Sequence, residues 1–316
     1  MKILVTGATG FVGESLCERL IIDGHDLVVL SRSASSAQKK LGLPAQYFTW
    51  SNPDVSLAPE QALVDIDVVI HLMGKNLTEK RWTREIKSQI YSSRIDSTLN
   101  LARAFEKLGT YPRKIVSASA VGFYGECGKQ EVDESHSGGS DFLSVLTADW
   151  ERAVQRFSPF TRTVSLRTGI VLDREGGFLE RIRPLAQWGI LGAQGSGRQW
   201  QSWIHKEDLV RLIVECATAD KFEGVINAVA PQPLRNKELM AKVCHQAKRW
   251  LAPPVPSLLL HIALGEMSQM LLCSAKVVPQ KLMEGGFEFK FPNIGKALNN
   301  VYSTAVVPRN NNSAPS

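Results

Sequence analysis

The chain has 316 residues, 44% hydrophobic and 22% charged, an ordinary globular balance that excludes collagen-like, low-complexity and disulfide-scaffold proteins. Its net charge of +6 is modest and scattered, so it does not argue for a nucleic-acid partner, none is expected, and an anionic small ligand accounts for it equally well. Cys17, Cys127, Cys216, Cys244 and Cys273 form no CxxC pair, and the N-terminus lacks the regions of a signal peptide; reduced thiols in a cytoplasmic protein are expected.

The first half alternates short β-branched runs with helical patterns, which predicts an α/β fold with a doubly wound parallel sheet. A buried strand, Lys2 to Thr6, runs into a turn carrying Gly7, Gly10 and Gly13 and then a helix. Gly7 permits the tight turn, Gly10 lets backbone approach a pyrophosphate, and Gly13 allows close helix packing, while the helix N-terminus offers free N–H groups to phosphate. That is a Rossmann dinucleotide site. The second strand, Leu27 to Leu30, is followed by Ser31 and Arg32 where an acidic residue would take the ribose hydroxyl of NAD. A guanidinium beside a hydroxyl suits a 2′-phosphate, so NADP(H) is preferred; the other reading of Arg32 is a solvated surface arginine.

Further strands are predicted at Ala45 to Thr49 and Val68 to Leu72. The latter leads into HisLeuMetGly at 71–74, where His71 reads as a satisfied interior histidine and Gly74 as room for the cofactor. Apolar residues Ile86, Ile90, Ile95, Leu99, Ala102 and Phe105 predict one long amphipathic helix from Thr83 to Leu108. A strand at Lys114 to Ala118, a helix starting near Asp141 and a strand at Thr163 to Leu166 complete a core over residues 1–170. Beyond it, Gly and Pro become frequent, as at Gly176–Gly177 and in the 195–197 run, and predict a smaller substrate-side lobe over 171–302 with returning core elements. The apolar stretch Leu258 to Leu272 holds His261 and Glu266 and is too short to span a membrane; a core helix is predicted there, and no membrane partner. The tail 303–316 lacks periodicity and is expected to be disordered. No ligand-spaced His/Cys cluster appears, and no metal is expected.

These residues resemble the extended short-chain dehydrogenase/reductases, the NAD-dependent epimerase/dehydratase superfamily, through TGATGFVG, VVIHLMG, SASAVGFYG, LRTGIVL and SWIHKEDLV. GSGRQWQSWIH and LGEMSQMLLCSAKVVPQKLMEGGFEF are similar to its epimerase-like NADP-dependent subfamily, which ends in a small domain of unknown function. The resemblance implies cofactor contacts from Gly7, Thr9, Gly10, Phe11, Val12, Gly13, Ser31, Arg32, Leu72, Met73, Gly74 and Val171. Arg94 stands where the superfamily has asparagine, and implies a bond to a phosphate or an anionic substrate group; a helix-surface ion pair is the other reading.

The superfamily uses a serine to orient the substrate oxygen and a Tyr-x-x-x-Lys pair to move the proton. Ser119 matches the serine, but Phe142 and Leu146 fall in the tyrosine and lysine slots, and none of the chain's tyrosines has lysine four residues on. Tyr124, on the loop after the fifth strand, is the one titratable hydroxyl near Ser119 and the substitute candidate. Arg81 and Trp82, with Arg198 and Gln199, are candidates to line a pocket for an unidentified small substrate. Three readings follow: hydride transfer between NADP(H) and a carbonyl or hydroxyl substrate, non-catalytic sensing of NADP(H), and nucleotide-sugar epimerisation, which needs the missing base most of all.

Overall fold

The computed structural model describes residues 1–303. The predicted disorder of the tail thus lies outside the described residues except at Ser303, which belongs to the last helix, Ile294–Ser303. In chain order come β1 (Lys2–Thr6), α1 (Gly13–Ile22), β2 (Asp26–Ser31), α2 (Ala34–Leu41), β3 (Gln46–Thr49), β4 (Val68–His71), α3 (Arg84–Ser92), α4 (Ile95–Leu108), β5 (Lys114–Ala120) and α5 (Phe142–Val154). Strand Arg162–Thr168 extends the sheet beyond β5, and strand Gly224–Ala228 from the second half closes that edge. All seven strands are parallel, and the order reverses between β4 and β1, with β1–β2–β3 on one side and β4–β5 and the two later strands on the other. This is a Rossmann sheet, and the crevice at the reversal point, beyond the carboxyl ends of β1 and β4, is where such sheets bind ligands.

Both faces of the sheet are covered, which is why its strands are continuous apolar runs rather than alternating ones. Ile3 and Val5 pack with Leu16, Cys17 and Leu20 of α1 and with Leu212 and Ile213 of a helix at Lys206–Thr218. Leu4 and Val69 face the other layer, with Ile90, Leu101, Phe105, Trp150 and Phe157. A separate cluster, including Leu179, Trp203, Met240 and Leu298, forms the core of the C-terminal lobe.

Two expectations are corrected here. The helix from Thr83 to Leu108 is two helices, broken at Ser93 and Arg94. Thr83 does cap its start, accepting from Ile86 N–H at 3.3 Å, but at the break side chains compete for backbone. Ser93 Oγ donates to the Ile90 carbonyl at 2.9 Å, Arg94 Nη1 donates to the same carbonyl at 3.2 Å, and Ser97 Oγ donates to the Ser93 carbonyl at 2.8 Å. The apolar stretch Leu258 to Leu272 is not a core helix. Gly265, at φ +60°, ends a short helix at Ser257–Leu264 with no buried residue, and Leu258, Leu259 and Ile262 are more than half exposed.

Candidate functional site

The glycine turn has the geometry its spacing requires. Gly7 has φ +73°, and a Cβ on it would stand 2.8 Å from the Leu72 carbonyl at the end of β4. Gly10 N–H donates to the Gly7 carbonyl at 3.0 Å, closing the turn. A Cβ on Gly13 would overlap the Gly7 carbonyl and lie 2.8 Å from the Ala8 backbone. Val12, the N-cap of α1, gives no side-chain cap, and although Glu14 N–H donates to the Gly10 carbonyl at 3.1 Å, the helix start still presents its positive dipole end to an anion. Thr9 is held by its carbonyl, which accepts from Lys40 Nζ at 2.7 Å. Phe11 reaches across to the second half: its ring lies against Gly176 and Gly177, whose missing side chains make the space, with Lys206 Nζ 4.9 Å from the ring centroid. Val171 lies beside this contact; its carbonyl borders Gly177 and its strand pairs Val171 with Ile204.

At the end of β2, Ser31 pairs with Thr49, and Ser33 caps α2 by accepting from Ser36 N–H at 3.3 Å. Between them Arg32 is exposed and makes no hydrogen bond or ion pair with the described residues. Its guanidinium is flanked in sequence by two serines, Ser31 and Ser33.

Beneath the crevice, His71 is fully buried, with Nδ1 2.9 Å from Thr6 Oγ1 and Nε2 3.0 Å from Thr98 Oγ1. It is the satisfied interior histidine the sequence implied. Burial pulls its pKa from 6.5 down to about 4. A folded-state value below the unfolded one means the unfolded chain binds the proton first, so the stability present above pH 6.5 is lost as pH falls toward 4. Lowering pH from 7.5 to 5 is therefore expected to cost about 2 kcal/mol through His71, with His205, also lowered by burial, adding in the same direction. Urea titrations at the two pH values check this; equal unfolding free energies would contradict it.

Leu72, Met73 and Gly74 continue from β4 as half-buried or exposed backbone. The space over Gly74 is taken by Arg94, whose Cζ would be 2.9 Å from a Cβ there.

At the end of β5 the two hydroxyls singled out in the sequence belong to one buried network. Ser119 Oγ donates to Glu151 Oε1 at 2.6 Å, and Glu151 takes a bidentate pair from Arg167, Nε to Oε1 and Nη2 to Oε2, both at 2.8 Å. Arg167 Nη1 donates to Tyr124 Oη at 3.0 Å, and Tyr124 donates to Asn227 Oδ1 at 2.7 Å. The Arg167 guanidinium also lies 3.4 Å from the Phe123 ring centroid. Ser119 is 5% and Tyr124 2% exposed, and burial, outweighing Arg167, pushes the phenol up to about 12. Glu151, Arg167 and Asn227 escaped the sequence reading. Arg167 stands near the end of a mostly polar strand, RTVSLRT, which gives no signal, whereas Glu151 lies among Leu146, Trp150 and Val154 on the buried face of α5. Charges in such positions need partners.

Asp141 caps α5, accepting from Leu143 and Ser144 N–H at 2.8 and 3.1 Å, and so fixes Phe142 one residue inside the helix. Phe142 packs edge-on against Trp82 at 5.2 Å, and Leu146 is buried. Trp82 is itself buried, its Nε1–H donating to the Leu77 carbonyl at 2.8 Å. Arg81 is exposed and lies over Gly265, 3.2 Å from where a Cβ would be. Gln199 is buried and its amide donates to the Gln194 and Leu271 carbonyls, both at 2.9 Å, whereas Arg198 is exposed. No hydrogen bond or ion pair among the described residues joins Arg81 and Trp82 to Arg198 and Gln199. Among those residues there is also no group of three potential metal ligands and no helix long and apolar enough to cross a membrane.

A reversed parallel sheet with a glycine turn at the switch point defines a Rossmann protein of the short-chain dehydrogenase/reductase type. Residues 3–142 match the NAD dependent epimerase/dehydratase family, and residues 255–301 match a domain of unknown function, DUF1731. The chain is 37% identical to the chloroplastic epimerase family protein SDR39U1 homolog of Arabidopsis thaliana, over 94% of this chain and 86% of that protein. It is 36% identical to the epimerase family protein YfhF of Bacillus subtilis, over 94% and 97%. The crystal structure of human epimerase family protein SDR39U1 (isoform 2) with NADPH superposes with a TM-score of 0.86 at 30% identity, covering 96% of this chain and all of that one. The chain belongs to this epimerase family, the DUF1731-bearing branch of the NAD-dependent epimerase/dehydratases.

Proposed function

We propose that this protein binds NADP(H) in the crevice between β1 and β4 and is a cytoplasmic oxidoreductase that moves hydride to or from a small carbonyl or hydroxyl, or nucleotide-sugar-like, substrate. The carrying observation is Arg32, an unpartnered guanidinium between Ser31 and Ser33 at the end of β2, where an NAD site would place a carboxylate. NADPH in the human relative supports the same choice. Gly7, Gly10 and Gly13 bring backbone against the pyrophosphate, with Thr9, Phe11 and Val12 completing the turn. Leu72, Met73, Gly74 and Val171 form the walls. When bound, the cofactor supplies or accepts the hydride. Ser119 Oγ, whose proton points to Glu151, accepts a hydrogen bond from a substrate hydroxyl, with water or Tyr124 carrying the proton.

Loss of a charge-assisted contact to the 2′-phosphate is worth about 1.5–3 kcal/mol, so Arg32→Ala is expected to weaken NADPH binding roughly ten- to a hundredfold while leaving NADH unchanged. Calorimetric titration of both cofactors checks this. Equal affinities in the wild type, untouched by the substitution, would sink the assignment.

A second reading, a non-catalytic NADP(H) sensor, is favoured by the enclosed Ser119 and Tyr124 hydroxyls and by Phe142 and Leu146 where a proton-transfer pair would stand. Turnover of a carbonyl panel that falls in Ser119→Ala and Tyr124→Phe separates an enzyme from a sensor.

A further inference from the structure

The break between α3 and α4 places Arg94 on the wall of the crevice. Its hydrogen bonds all leave from Nη1 and go to neutral acceptors: the Lys75 carbonyl at 3.0 Å, the Ile90 carbonyl at 3.2 Å and Ser93 Oγ at 3.5 Å. No carboxylate pairs with it among the described residues, in contrast to Arg167, which sits in a bidentate pair with Glu151. Nε and Nη2 make no hydrogen bond with the described residues, and a Cβ on exposed Gly74 would lie over the face of the guanidinium, 2.9 Å from Cζ and 3.2 and 3.1 Å from Nε and Nη2. On its inner side the guanidinium lies over the ring of Trp150, at 5.2 Å. Trp150 is 5% exposed, and its indole N–H has no hydrogen-bond partner.

An enclosed cation without a counter-charge and a buried donor without an acceptor both carry a desolvation cost that a ligand acceptor would offset. Glycine at position 74 makes room for the guanidinium, where a methyl would press on its face. We infer that Arg94 is an anion receptor of the crevice, its Nε–Nη2 fork taking the phosphate or carboxylate oxygens of the molecule bound there. The guanidinium geometry matches such groups bidentately. Burial lowers the Arg94 pKa to about 10, so it remains charged at neutral pH. The anion comes either from the dinucleotide or from the substrate. The inference rests on the NADP(H) reading only for what fills the crevice.

The test is calorimetric titration of NADPH into wild type, Arg94→Met and Arg94→Lys, followed by titration of inorganic phosphate and oxalate into each NADPH complex. Arg94→Lys keeps the charge but not the planar fork, and gives a second variant should Arg94→Met not fold. A cofactor anion is expected to show as at least tenfold weaker NADPH binding in Arg94→Met and severalfold weaker in Arg94→Lys. A substrate anion is expected to leave NADPH affinity unchanged, to abolish phosphate or oxalate binding in Arg94→Met and to weaken it in Arg94→Lys. Wild-type behaviour of both variants toward NADPH and both probe anions would overturn the inference. A wild type that ignores NADPH but binds phosphate through Arg94 would defeat the cofactor proposal and leave the anion receptor standing.

Discussion

Gly13→Ala is expected to abolish dinucleotide binding and to lower stability by about 2–3 kcal/mol, the range of a core overpacking strain that cannot relax. The added methyl meets the Gly7 carbonyl and the Ala8 backbone, and neither is a flexible side chain that can swing aside. Relief requires α1 to slide from β1, opening its packing through Leu16 and Leu20 and moving the N–H groups that would hold a pyrophosphate. Urea unfolding together with NADPH titration checks both parts. A variant with the wild-type midpoint and affinity would show that the helix packs more loosely than its contacts indicate.

Glu151→Ala is expected to cost about 3–5 kcal/mol, because it strands Arg167 without its counter-charge in a site from which water is excluded. Arg167 has side-chain exposure of 4% and Glu151 of 10%, and the pair also carries the bonds to Ser119 and Tyr124. Removing both charges at once, as in Glu151→Leu with Arg167→Met, is expected to be milder than Glu151→Ala alone, since the large term is the unpaired charge rather than the pair. Unfolding of Glu151→Leu, Arg167→Met and the double variant gives the coupling energy. A Glu151→Ala variant within 1 kcal/mol of wild type would mean that water reaches Arg167.

Much of the frame was legible because it follows from local rules. β1 falls where its apolar run placed it, the turn glycines have the contacts their spacing implied, and Thr83 and Asp141 cap helices as short polar residues before apolar periodicity do. The long helix was read through its break because apolar spacing continues past Ser93, whereas the interruption is made by hydroxyl and guanidinium bonds to carbonyls that periodicity does not report. Strand Gly224–Ala228 was not singled out: GVINA is five residues long and its place beside Arg162–Thr168 is a long-range pairing. The Leu258 stretch was apolar enough for a core, but composition cannot say which surface is covered.

The site divided in the same way. The cofactor side is contiguous in sequence and could be read from Gly7 to Gly13 and at Ser31–Arg32. The chemistry at the end of β5 depends on Glu151, Arg167 and Asn227, brought to Ser119 and Tyr124 from three other elements. Side chains that looked free to react are held by partners 32 to 103 residues away.

The most direct measurement is a crystal structure of the wild-type chain with NADPH. The expected result is a pyrophosphate over the turn of Gly10 and Gly13 at the N-terminus of α1, with the 2′-phosphate within hydrogen-bonding distance of Arg32 and a flanking serine. NADPH bound elsewhere, or with its 2′-phosphate in solvent and Arg32 turned away, would contradict the assignment of this crevice as an NADP(H) site.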